Sequence, residues 1–132
     1  MKPLSRRLLP TLLALAVAPA AAADLFVIAH RDVQLSREEV AEVYRGERQF
    51  AGDVLLRPAD NAAFRPEFVN RALGMDEVRY ESHWTRKAFR EGLIAPQLQG
   101  GDAEVAAFVA RTPGAIGYVR EAPDNVRILT RY

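Results

Sequence analysis

The stretch TPGAIGYV, Thr112 to Val119, ends one element and starts another within three residues. Pro113 lacks a backbone N–H and its ring crowds the preceding turn, so a helix arriving from the N-terminal side stops there. Gly114 supplies the freedom that a tight helix-to-strand turn needs. Ala115 to Val119 is then short, apolar and mostly small-sided, as a strand squeezed between neighbours would be. Gly117 within it marks a close approach, where a side chain would block neighbouring backbone, or a packing device. Tyr118 points to the core or to the rim of a site.

The rest of the chain alternates around that strand. Upstream, Asp102 is placed to cap a helix whose buried stripe is Val105, Phe108 and Val109, and Val126 to Leu129 reads as a last strand. DLFVIA, Asp24 to Ala29, is a short run of β-formers and predicts a buried strand. Next, Ser36 and Glu39 form a capping box, with Leu35 and Val40 at staple spacing. Val40, Val43 and Tyr44 mark one face of that helix, and Gly46 ends it. DVLLR, Asp53 to Arg57, predicts a strand and Pro58 to Ala63 a loop. Phe64 to Leu73 reads as a helix, with Pro66 tolerated in its first turn and Gly74 closing it. Asp76 caps a further helix to about Glu91, with Tyr80, Trp84 and Ala88 four apart and Val78 and Phe89 beside them. Gly92 and Pro96 end it. Strands alternating with helices imply an α/β layer structure around a small sheet.

Of the 132 residues, the first 23 have a basic start (Lys2, Arg6, Arg7), an apolar run from Leu8 to Val17, and small residues ending at Ala23. That is the pattern of a secretory signal peptide, with cleavage expected after Ala23. The run is shorter than the ~20 apolar residues a bilayer span requires. Residues 24–132 then form one domain's worth of chain. The first 23 residues hold three of the 18 basic residues and none of the 17 acidic ones, so residues 24–132 carry a net charge of −2. Nothing in that balance suggests nucleic acid as a partner. With no cysteine, the chain builds no disulfides in an oxidising compartment.

The chemistry-bearing residues narrow the function further. His30 and His83 are far apart and lack the ligand spacing of a zinc site, so no metal and no cofactor is expected. Ser36 and Ser82, the two serines after residue 23, lie in no nucleophile elbow, and no enzyme activity is expected. The loop RPADNAAFR, Arg57 to Arg65, joins a strand to a helix start, where free N–H groups attract anions. Its two arginines would supply forked donors to a phosphate, sulfate or carboxylate. Against this, Arg57 and Arg65 would instead pair with Asp60 and Glu67. His30, at the end of the first strand, is placed where open α/β sheets hold ligands. The candidate anion-binding residues are therefore Arg57, Asn61, Arg65 and His30.

In order along the chain, LSREEVAEVYRG with Phe50 and Gly52, VLLRPADNAAFRPEF, YESHWTRKAF and TPGAIGYV resemble the phosphate-binding receptors of phosphate ABC importers, in the type II periplasmic-binding-protein superfamily. The resemblance covers about Leu25 to Val119, and TPGAIGYV is its most specific part. It implies an α/β fold: a single lobe of a type II periplasmic-binding-protein fold, with a small mixed sheet flanked by helices. It also implies a periplasmic, non-enzymatic solute-binding protein for phosphate or a related small anion. Two departures stand out. Two-lobed receptors close on their ligand, and this chain is long enough for one lobe. Where the family carries Ser-Gly-Thr at the helix start, this chain has Asn61-Ala62-Ala63 or Ala62-Ala63-Phe64. A lone lobe offering two charge-assisted contacts of about 1.5–3 kcal/mol each binds weakly, and a homodimer or partner surface would have to supply the second jaw. The alternative is a ligand-free periplasmic module that docks on a membrane sensor or transporter. It would show an exposed apolar patch involving Tyr80, Trp84 or Phe89.

Overall fold

The computed structural model describes residues 23–132, together with Pro3 and Pro10. The expected leader therefore lies outside the described residues, apart from Pro3, Pro10 and Ala23. The elements run β1 (Phe26–Ala29), α1 (Arg37–Tyr44), β2 (Phe50–Ala51), β3 (Val54–Leu55), β4 (Arg57–Asn61), α2 (Arg65–Leu73), α3 (Glu77–Glu91), β5 (Gln97–Gln99), α4 (Asp102–Arg111), β6 (Ala115–Val119) and β7 (Arg127–Arg131). The main sheet has the order β5-β4-β6-β1-β7, and β2 pairs with β3 as a separate hairpin. β4 is parallel to β5 and β6, while β1 is antiparallel to β6 and β7. This is the α/β layer around a small sheet that the alternation implied, and the mixed sheet flanked by helices that the resemblance implied.

Successive side chains of a strand point to opposite faces, and both faces of this sheet are covered. Val27 and Ala29 of β1 and Ile116 and Tyr118 of β6 pack with α1, α2 and α3. Ile28, Ala115 and Val119 pack with Val105, Phe108 and Val109 of α4. All five residues of β6 are buried, as expected for the central strand. Gly114 adopts φ +77°, and a Cβ there would sit 2.0 Å from the Leu55 carbonyl oxygen. Gly117 faces α4, and a Cβ would lie 2.5 Å from Val105 Cγ1. The close approach at Gly117 is thus to a helix side chain, not to neighbouring backbone.

The capping box at Ser36 and Glu39 forms as read, and Val40, Val43 and Tyr44 are buried. Three local expectations are corrected. The expected strand Asp53–Arg57 is divided: Val54–Leu55 turns back on Phe50–Ala51 through Gly52, at φ 59°. The expected loop from Pro58 is strand β4 as far as Asn61, its backbone paired to β5 and β6. Pro58 is accommodated because β5 pairs β4 only from Ala59 onward, so no ladder bond is required there on that side. β5 itself, with its glutamines, carries no apolar alternation to announce it. Finally, Gly101 rather than Asp102 holds the cap position of α4. The Asp102 side chain instead accepts the Arg120 and Glu121 amides, each at 3.0 Å.

Candidate functional site

The four candidate residues do not meet. β1 and β4 are both registered against β6, which places Ala29 opposite Ile116 and Arg57 opposite Ala115. His30 and Arg57 therefore lie together where β1 ends and β4 begins. Asn61 and Arg65 lie at the other end of β4. Four strand steps of about 3.3 Å separate these ends, roughly 13 Å.

At the first end, His30 Nδ1 donates to Asp32 Oδ1 at 2.8 Å, and the same oxygen accepts the Gly114 amide at 3.1 Å. Burial pulls the Asp32 carboxyl up, but the Gly114 amide and His30 outweigh it and hold the carboxyl below its usual range. The Arg57 amide donates to the Gly114 carbonyl at 2.8 Å. His30 and Asp32 thus brace the Pro113–Gly114 turn. Arg57 is exposed, and its guanidinium makes no ion pair with any described residue.

At the second end, the expected anion loop is occupied by its own chain. The Ala62 amide donates to the Gln99 carbonyl at 2.8 Å, and the Phe64 amide to the Asn61 carbonyl at 3.0 Å. The Ala63 amide donates to Asn61 Oδ1 at 3.0 Å. Fully buried Asn61 spends its Nδ2 hydrogens on Asp102 Oδ1 at 2.8 Å and the Tyr118 carbonyl at 3.0 Å. Arg65 is held by Glu77 at 2.8 Å and Glu81 at 2.7 Å, not by Glu67, which pairs with Arg71 and Arg120. Each of these donors already has an acceptor within the chain.

The most unusual group there is one the sequence offered only as an ion-pair partner. Asp60 is buried, accepting the Tyr80 hydroxyl at 2.8 Å on one oxygen and the Tyr118 hydroxyl at 2.9 Å on the other. Burial pushes its carboxyl up to about 6, against the opposing pull of the two phenols and Arg65. Burial and the Asp60 charge push both phenols well above their ordinary value. The signal for this trio was thin: Tyr80 and Tyr118 look like any core aromatics, and Asp60 like any polar residue between elements. A depression of about 430 Å³ opens beside it, lined by Asp60, Arg65, Tyr80 and Glu81 among others. With Glu77 close by, carboxylates outnumber the one guanidinium, a balance that repels anions.

His83 sits half-buried on α3, where its Nε2 donates to the Arg45 carbonyl at 2.6 Å, and Trp84 Nε1 donates to the Tyr44 carbonyl at 3.0 Å. Together they satisfy carbonyls that the end of α1 leaves open. Tyr80 and Trp84 are buried, so of the three residues tied to a docking patch only Phe89 is exposed, at 90%. Among the described residues, no cluster of His, Asp and Glu is placed to hold a metal ion, and no helix is long and apolar enough to cross a membrane.

The arrangement defines a mixed α/β layer of the periplasmic-binding-protein kind. Its fold matches a Clostridium perfringens protein described as a phosphate ABC transporter substrate-binding protein, solved with phosphate bound. The TM-score is 0.62 at 15% identity, over 82% of this chain and 45% of that one. It also matches an ABC-type phosphate transport receptor from Vibrio cholerae, with a TM-score of 0.50 at 12% identity, over 82% of this chain and 46% of that one. This chain spans less than half the length of either receptor. No protein-family model matches the chain, and no curated protein matches it.

Proposed function

We propose that this chain is an exported, non-enzymatic binding lobe that works outside the cytoplasmic membrane by docking on a membrane transporter or sensor, without holding an anion in its β4–α2 loop. The observation that speaks against an anion is the closed loop, and of the expected docking patch Phe89 stays at the surface. The Ala62, Ala63 and Phe64 amides, the Asn61 side chain and Arg65 are all bonded within the chain. Anion binding there would have to break bonds of similar strength to those it makes, which leaves little net affinity. Export fits the fold: among the described residues Leu25 is the first paired into the sheet, through its amide to the Tyr132 carbonyl at 2.7 Å. Cleavage after Ala23 would therefore spare the core, and residues 24–132 would stand as a single domain.

The second reading is a weak receptor for phosphate or a related small anion, with a homodimer or a partner surface as the second jaw. What favours it is the likeness in fold to a protein that holds phosphate. Isothermal titration with phosphate, then sulfate, separates the two. The docking reading expects no saturable heat up to millimolar phosphate. Saturable micromolar binding that is lost in Arg65→Ala would return the chain to the receptor reading.

A further inference from the structure

At the opposite end of β4 from the anion loop, a groove of about 500 Å³ runs between the β2–β3 hairpin and the α3–β5 connection. Leu55, Leu56 and Pro58 line it from the hairpin side, Leu93 and Ile94 from the connection, and Trp84 between them. Leu55 is 51% exposed and Ile94 90%, so the groove presents apolar surface to solvent that the fold leaves uncovered. Such a volume, with mostly apolar walls and a few polar groups, is the usual form of a small-molecule site.

Its charge narrows the ligand. Two arginines line the groove. Arg48 is neutralised by Glu42 at 2.9 Å and Glu39 at 3.3 Å. Arg57 has no acidic partner among the described residues, and its backbone is fixed by the bond to the Gly114 carbonyl at 2.8 Å. The groove therefore offers one uncompensated guanidinium beside an apolar trough. A guanidinium presents a planar fork that fits one carboxylate through two parallel bonds. A dianion such as phosphate would leave one charge unpaired against apolar walls, which is unfavourable.

We propose that this groove binds a small amphiphile: an alkyl or aryl chain along Leu55, Trp84 and Ile94, with one carboxylate paired to Arg57. The inference goes beyond the docking reading and does not rest on it, because the β4–α2 loop lies at the other end of the strand.

Trp84 is the chain's single tryptophan, so its fluorescence reports on the groove directly. The experiment titrates the purified full chain with decanoate below its micellar concentration, with decanol and inorganic phosphate in parallel. The expected result is a saturable change in Trp84 emission with decanoate and none with phosphate. Arg57→Met should weaken decanoate about tenfold, the loss of roughly one charge-assisted pair, and leave decanol unchanged. Leu55→Gln, at a half-exposed position outside the buried core, should weaken both amphiphiles. Absence of a saturable decanoate signal in the wild-type chain would overturn the proposal. Decanoate affinity unchanged in Arg57→Met, or decanol binding as tightly as decanoate, would overturn the assignment of the carboxylate to Arg57. Phosphate binding seen by calorimetry alone would count against the closed loop and leave the groove result standing.

Discussion

Tyr118 donates its hydroxyl to Asp60 Oδ1 at 2.9 Å, tying the central strand β6 to the buried end of β4. Tyr80 reaches the other oxygen from α3 at 2.8 Å, so one carboxylate joins two strands and a helix. A buried carboxylate with two neutral donors is stabilised by them, yet not enough to match its solvation in water.

That imbalance predicts a pH dependence. Burial pushes the folded Asp60 carboxyl up to about 6 from its ordinary 3.8. Between those values the folded chain binds more protons than the unfolded one, so stability falls as pH rises. The expected decline is about 2 kcal/mol between pH 4 and 6, because the limiting slope of about 1.4 kcal/mol per unit holds only midway between the two values. Urea midpoints measured across that window should show the slope, and Asp60→Asn should flatten it. An unchanged slope in Asp60→Asn would mean other groups carry it.

Arg65 acts on the same carboxyl from the half-exposed side, and its charge holds Asp60 lower than burial alone would. Arg65→Met should therefore raise the Asp60 titration further, read by NMR on the carboxyl carbon. It should cost only about 1 kcal/mol of stability, since its partners Glu77 and Glu81 can be solvated once released. A lowered Asp60 titration in the variant would contradict the geometry.

Asn61→Ala should be far more damaging than its place between two elements suggests. It removes three bonds at once and leaves the buried Tyr118 carbonyl without its side-chain donor. A loss of about 2–4 kcal/mol is expected in chemical denaturation. A loss under 1 kcal/mol would mean water replaces the amide and the loop is looser than the structure describes.

Gly117→Ala places a methyl 2.5 Å from Val105 Cγ1, inside a packed layer. Overpacking of this kind costs about 1–3 kcal/mol. Val105→Ala opens space at the same point, so the double variant should be more stable than the sum of the two single losses predicts. Simple additivity in a double-mutant cycle would show that the two positions do not touch. Gly114→Ala has no such rescue, because the obstruction is the Leu55 carbonyl and the backbone conformation is left-handed.

Much of this protein was legible without its structure because the signals are local. The Ser36–Glu39 capping box, the stripes on α1 and α4, and the Pro113–Gly114 turn into a buried strand depend on residues a few positions apart. So the helices, the central strand and the α/β class follow from the sequence by itself. Three things needed the tertiary structure. β4 and β5 are strands because partners distant in sequence satisfy their backbones, and RPADN and QLQ carry no alternation of their own. The candidate residues divide into two groups because strand direction, which no local pattern encodes, sends His30 and Arg57 to one end of the sheet and Asn61 and Arg65 to the other. And whether Arg65 and Asn61 are free to hold a ligand was decided by Glu77, Glu81 and Asp102, residues 12 to 41 positions away, which reach them first.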